Sequence, residues 1–84
     1  MAAAVKLTDD ARSEFDALPL VMKPRVAAVF ERLRKWPDVS GAKPLRGALK
    51  GNFRIRVRDY RIIFRVAGEI VTVWKIGYRG DIYD

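Results

Sequence analysis

Arginine alternates with apolar residues along positions 52–66. Arg54, Arg56 and Arg58 interleave with Phe53, Ile55 and Val57, and Arg61 and Arg65 with Tyr60, Ile62, Phe64 and Val66. A guanidinium is a planar fork that grips phosphate or carboxylate oxygens two at a time and keeps its charge at any ordinary pH. A row of such groups can hold a polyanion and offset charge that develops on it, but it cannot shuttle protons. The chain has no histidine, so the usual base at neutral pH and the commonest metal ligand are both missing. It has no cysteine either, which excludes disulfides and thiolate metal sites. No metal or cofactor is expected.

Strict alternation is the mark of a half-buried strand, because successive side chains point to opposite faces. Two such runs meeting at Arg58-Asp59 read as a hairpin. A two-residue loop there sets Val57 opposite Tyr60 and Arg56 opposite Arg61. Like charges directly across a sheet are destabilising, so a face that keeps them implies an anionic partner. The charge distribution agrees. Residues 1–42 carry seven Lys/Arg against six Asp/Glu, whereas residues 43–84 carry ten against four, so nearly all of the net +7 belongs to the sheet-forming half. Nucleic acid or an acidic protein is the expected partner.

Other elements must hold that hairpin in place. Thr8 and Asp9 are good helix N-caps with acidic residues in the following turn. Ala11, Phe15 and Leu18 then form one apolar stripe. Met22, Val26, Val29, Phe30, Leu33 and Trp36 form a second, on a helix expected from about Val21 to Trp36, with Pro24 in its first turn. Arg25, Arg32 and Lys35 take its wet side. After a polar turn containing Gly41, the arginine hairpin leads through Ala67-Gly68 to a third strand, Glu69–Ile76, which Gly77 interrupts. With Val66 facing Glu69, Phe64 would face Val71, Ile62 would face Val73 and Arg61 would face Trp74. Val5–Leu7 is a short extended segment, and Pro44–Gly47 a loop or the approach to a strand.

The 84 residues make a single domain, 1–84, of the α+β class: a two-helix hairpin packed on one face of a small antiparallel β-sheet. Phe53, Ile55, Val57, Tyr60, Ile62, Phe64, Val71 and Val73 would meet the helices, and Arg54, Arg56, Arg61, Arg65 and Trp74 would share the other face. The N-terminus lacks a signal-peptide pattern, and no apolar run approaches the ~18 residues of a membrane span. A cytoplasmic protein with no membrane partner is expected.

The residues Leu45-Arg46-Gly47, Phe53-Arg54-Ile55-Arg56-Val57, Asp59-Tyr60-Arg61-Ile62-Ile63-Phe64, Ile76-Gly77-Tyr78-Arg79 and Ile82-Tyr83 resemble the RelE branch of the RelE/ParE toxin superfamily. The resemblance runs over nearly the whole chain. It implies a small microbial ribonuclease fold and the toxin of a type II toxin–antitoxin module, a metal-independent endoribonuclease (messenger RNA interferase) acting in the ribosomal A site. A cognate antitoxin would wrap and silence it, through an amphipathic, acidic segment, in a higher hetero-oligomer. Arg54 and Arg56 stand where the best-known relatives have lysines, and Tyr78 where many have histidine or lysine.

By that resemblance Arg54, Arg56, Arg61, Arg79 and Tyr83 are the catalytic set. Arg61 would stabilise the scissile phosphate, Arg79 assist the leaving 5′-oxygen, and Arg54 and Arg56 grip the flanking backbone. Tyr83 would orient or deprotonate the 2′-hydroxyl, which needs neighbouring cations to lower its ordinary pKa of about 10. Arg54, Arg56, Arg58, Arg65, Lys50 and Trp74 form the wider RNA-binding set, with Trp74 stacking on Arg61 or on a base. Two other readings share the fold: a ParE-like inhibitor of DNA gyrase, and a non-catalytic RNA- or ribosome-binding module.

Overall fold

Thr8 is extended and its Oγ1 accepts the Ala11 N–H at 3.1 Å, satisfying one of the orphan donors at the start of α1 (Asp9–Asp16). Asp9 and Asp10 in that first turn favour the positive end of the helix dipole. Helix α2 (Met22–Leu33) has no side-chain cap. The Pro19 carbonyl instead accepts from Met22 and Lys23, and Pro24 falls within the first turn as expected. The helix stops three residues short of Trp36 because a proline at 37 crowds the carbonyl of Leu33, four residues earlier. The chain tightens there, with Lys35 and Trp36 donating to the carbonyls three residues back. Trp36 still reaches the core, its ring centroid 4.8 Å from Phe53 and 5.4 Å from Phe64.

These elements come from a computed structural model that describes residues 2–79. Five strands make one sheet in the order β1-β5-β4-β3-β2: β1 (Ala4–Leu7), β2 (Lys43–Pro44), β3 (Asn52–Val57), β4 (Tyr60–Ala67) and β5 (Ile70–Tyr78). Both helices cover one face. The expected meander is β3-β4-β5, and two edge strands extend it. Val5–Leu7 belongs to β1, which runs parallel to β5, and Pro44 sits on the short edge strand β2, where its missing N–H is tolerated. Ile62, Phe64, Val71 and Val73 are fully buried beneath Val26, Val29 and Leu33. Each such side chain contributes about 1.5–3 kcal/mol of transfer free energy. No helix among the described residues is long and apolar enough to cross a membrane.

The first hairpin has the expected register: Val57 pairs with Tyr60, Arg56 with Arg61, Ile55 with Ile62 and Phe53 with Phe64. Arg58, first of the two loop residues, has φ 56°, a conformation that L side chains disfavour. The second hairpin differs from expectation. Its loop is Gly68-Glu69, with Ala67 opposite Ile70, because the first loop position requires the positive φ of 59° that Gly68 supplies. The pairing therefore slides by two residues, Val66 to Val71 and Phe64 to Val73, which preserves the faces. A bulge at Trp74 then adds one more residue, so that Ile62 faces Ile76 and Arg61 faces Gly77 rather than Trp74. Nor does Gly77 interrupt the strand, since β5 continues through it to Tyr78.

A carboxylate completes the exposed edge of β5. Pairing with β1 ends at Val73, and beyond it the Ile76 N–H donates to Glu14 Oε1 at 2.9 Å, while Lys75 Nζ donates to Glu14 Oε2 at 2.7 Å. Helix α1 is thereby fastened to the strand that leads to Arg79.

Candidate nucleic-acid interface

Paired residues of adjacent strands share a face, so the register fixes what stands beside what. One row across the sheet, on the side away from the helices, reads Arg56, Arg61, Gly77. The next reads Lys43, Arg54, Ile63, Lys75, and the one after it runs Asn52, Arg65, Thr72. Arg79 reaches the first row from the end of β5. Its N–H donates to the Asp59 carbonyl at 2.7 Å, and its Nη1 lies 3.9 Å from Asp59 Oδ1. Both side chains of that pair are exposed, so water screens it and it holds Arg79 only loosely. Tyr60 and Tyr78 pack edge to face at the same end, with centroids 5.4 Å apart.

Arg61 departs from the simple picture of an exposed arginine face. It is only 3% exposed, and its Nη1 donates to the Tyr60 carbonyl at 3.3 Å. Neither Arg61 nor Arg54 is a free cation, whereas Arg56 and Arg58 are exposed at the hairpin. Gly77 beside Arg61 presents no side chain to compete for the space. Trp74, at the bulge, does not face Arg61 across the sheet as expected. Its Nε1 donates to Asn52 Oδ1 at 2.8 Å, a bond from β5 to β3 that spans β4 and lies on the face bearing the buried Ile63.

The residue model of the ParE toxin of type II toxin–antitoxin systems matches residues 5–83. The chain belongs to that family. The toxin is 36% identical over 90 residues to Toxin RelG of Mycobacterium tuberculosis, an alignment covering 99% of this chain and 98% of the relative. Among solved structures it is similar to the RelBE2 toxin–antitoxin complex of the same organism, with TM-score 0.73 and 31% identity over 94% of this chain and 100% of the other. The fold is also that of the isolated E. coli RelE toxin, with TM-score 0.77 at 20% identity over 92% and 84% of the two chains. The RelE/ParE resemblance read from the arginine pattern is thus established, and so is the two-helix, one-sheet architecture.

Within the toxin, the expected site residues divide by position. Arg56, Arg58, Arg61 and Arg79 gather at the end of the sheet where the first hairpin turns, and Arg54 lies one row further in. Arg65 is four residues along β4 from Arg61, about 14 Å at the ordinary strand rise. It shares the far end with Asn52, and the exposed Lys50 lies just before that strand, so Arg65, Lys50 and Trp74 do not join the hairpin-end cluster. Tyr83 lies outside the described residues.

Two further basic surfaces frame clefts, and of these only the groove at Lys43 and Arg46 went unread in the sequence. Lys43, Arg46 and Arg54 surround a groove of about 700 Å³ whose apolar lining is Pro44, Leu45 and Leu49. Arg25 and Arg32 of α2 meet Arg56 and Arg58 around a second cleft. The signal for that cleft was present: residues seven apart fall about 20° short of two full turns, so Arg25 and Arg32 share a helix face. Among the described residues no group of three or more His, Cys, Asp or Glu could hold a metal ion.

Proposed function

We propose that the toxin is an endoribonuclease that cuts messenger RNA in the ribosomal A site without a metal. The observation that carries this reading is the row of Arg56 and Arg61, closed by Arg79, on one face of the sheet. Cleavage needs no nucleophile from the protein. The 2′-hydroxyl gives up its proton, its oxygen bonds to the adjacent phosphorus, the bond from phosphorus to the 5′-oxygen breaks, and that oxygen takes up a proton. The products are a 2′,3′-cyclic phosphate and a 5′-hydroxyl. The protein's work is to align the backbone and to offset the charge of the phosphorane.

Arg54 and Arg56 grip the backbone on either side of the scissile phosphate, Arg61 stabilises the phosphorane and Arg79 assists the departing 5′-oxygen. Removing one such preorganised donor typically costs 10²–10³ in rate, about 3–4 kcal/mol. Tyr83 orients or deprotonates the 2′-hydroxyl. Arg58, Arg65, Lys50 and Trp74 extend the contact along the strand.

Structures of the relatives hold RelB-type antitoxins, and this toxin is silenced in the same way in the cytoplasm, within a higher hetero-oligomer. The groove between Lys43, Arg46 and Arg54, apolar within and basic at the rim, suits an amphipathic acidic segment. The family description names ParE, which favours inhibition of DNA gyrase as the second reading, with the basic face as a protein interface. Primer extension on translated messenger after induction separates the two. Codon-internal cuts from the wild type, reduced at least 100-fold in Arg61→Ala at matched folding, support the ribonuclease. DNA damage with intact messenger supports the gyrase inhibitor, and equal messenger cleavage by Arg61→Ala and wild type sinks the assignment of Arg61.

A further inference from the structure

Strand β2 pairs with only Phe53 and Arg54 of β3. Beyond Arg54 the outer edge of β3 has no strand partner among the described residues, and there it meets α2. A cleft of about 330 Å³ opens at this junction, lined by Arg25 and Arg32 from one wall and Arg56 and Arg58 from the other, over a narrow floor that includes Ala28 and Val29. Among the described residues no carboxylate lines it. The only acidic residue on α2, Glu31, faces Arg34 instead, at 3.5 Å. Arg32 Nη2 donates to the Ser40 carbonyl at 2.5 Å, which orients its guanidinium without neutralising it.

Four cations converging without a counter-charge repel one another, and an arrangement of that kind is relieved by an anion placed between them. The shape indicates which anion. Of the apolar residues that line it, Val29 is 4% exposed, Val57 is half-buried and only the small Ala28 is exposed, so the cleft offers little apolar area for a protein segment to bury. The groove beside Lys43 is the opposite case, with an apolar lining. Arg25 and Arg32 are seven residues apart on one face, about 10 Å along the axis, too far apart to share one small anion and suited to a polyanionic backbone. Arg56 belongs to both the sheet face and the cleft, so a backbone bound at one is continuous with the other.

We propose that this cleft is a second phosphate site, which holds RNA backbone while the sheet face holds the strand to be cut. The choice of RNA rests on the ribonuclease reading above. The test is therefore made with an RNA that cannot be cut: a labelled hairpin of about twelve base pairs, fully 2′-O-methylated, titrated with the toxin over a range of salt.

Each phosphate contact contributes about 0.9 to the slope of log K against log salt. The double variant Arg25→Gln/Arg32→Gln should lower that slope by about 1.8 and raise Kd roughly 10- to 100-fold at low salt. Arg25→Lys/Arg32→Lys should restore most of the slope. If loss of the Arg32–Ser40 contact prevents folding, Arg25→Gln alone, at an exposed position, should still remove about 0.9 of slope. Unchanged affinity and slope in a folded variant overturn the proposal. So does a loss confined to an acidic probe such as polyglutamate, which would make the cleft a protein-binding surface. A wild type that leaves messenger intact yet shows the hairpin effect refutes the cleavage reading and supports the cleft.

Discussion

Glu14 offers the sharpest test of how the sheet keeps Arg79 in position. Its two oxygens do different work: one accepts a backbone N–H from a residue only 3% exposed, the other a lysine ammonium at 2.7 Å. Glu14→Ala strands the Ile76 donor, a loss of about 1–3 kcal/mol. The ion pair adds less, because the side chains of Lys75 and Glu14 are 37% and 26% exposed. Solvent screening at that exposure leaves it about 0.5–1 kcal/mol.

The alanine variant should thus be destabilised by about 1.5–4 kcal/mol, a fall in Tm of roughly 6–30 °C for a domain of this size. Glu14→Gln keeps an oxygen for Ile76 and loses only the charge, so it should cost about 0.5–1 kcal/mol, and less in high salt. Urea denaturation of both variants, with a Lys75→Met cycle, measures the two parts. If glutamine is as damaging as alanine, the charge and not the edge donor is what matters. If both variants lie within about 0.5 kcal/mol of wild type, α1 is not fastened to β5 in this way.

Three further substitutions probe the basic face. Arg56→Gln removes one of two directly opposed arginines, so it should raise stability by about 0.2–1 kcal/mol at low salt, fading as salt rises, while hairpin RNA binding weakens; opposite signs in denaturation and titration are the signature. Arg58→Gly relieves a side chain held at φ 56° and should stabilise by about 0.5–1 kcal/mol in urea melts, once glycine's extra chain entropy is set against the strain. Trp74→Phe keeps an aromatic face but deletes the 2.8 Å bond to Asn52, so stability should fall by about 0.5–1.5 kcal/mol while any stacking on RNA bases persists.

Alternation in the sequence carried the faces of the sheet well, because its period is geometric. Every residue expected to meet the helices does so, and the Arg56–Arg61 opposition followed from the two-residue loop alone. Register across the second hairpin did not follow. It depends on which loop position takes a positive φ and on a bulge, and neither leaves a mark on the apolar pattern. Strand β1 was half legible: Val5–Leu7 read as extended, but parallel pairing with a strand more than sixty positions away has no local signature. The parity that put Arg61 on the basic face was correct, yet parity names a face and says nothing of what covers it, so its burial was missed. For the same reason Arg25 and Arg32 read as a wet helix side, since helical period does not reveal the strand edge across from them.

The parallel pairing of β1 with β5 also sets a timetable. Ala4–Leu7 is made more than sixty residues before Ile70–Tyr78, and neither edge can close without the other. Synthesis proceeds from the N-terminus at about 5–20 residues per second, so the leading strand waits several seconds for its partner. During that interval Arg79, which anchors to Asp59 only after β5 is in place, does not yet exist as part of a site. A ribosome making this toxin therefore carries a chain still unable to assemble its arginine cluster until β5 has been made and has paired with its neighbours.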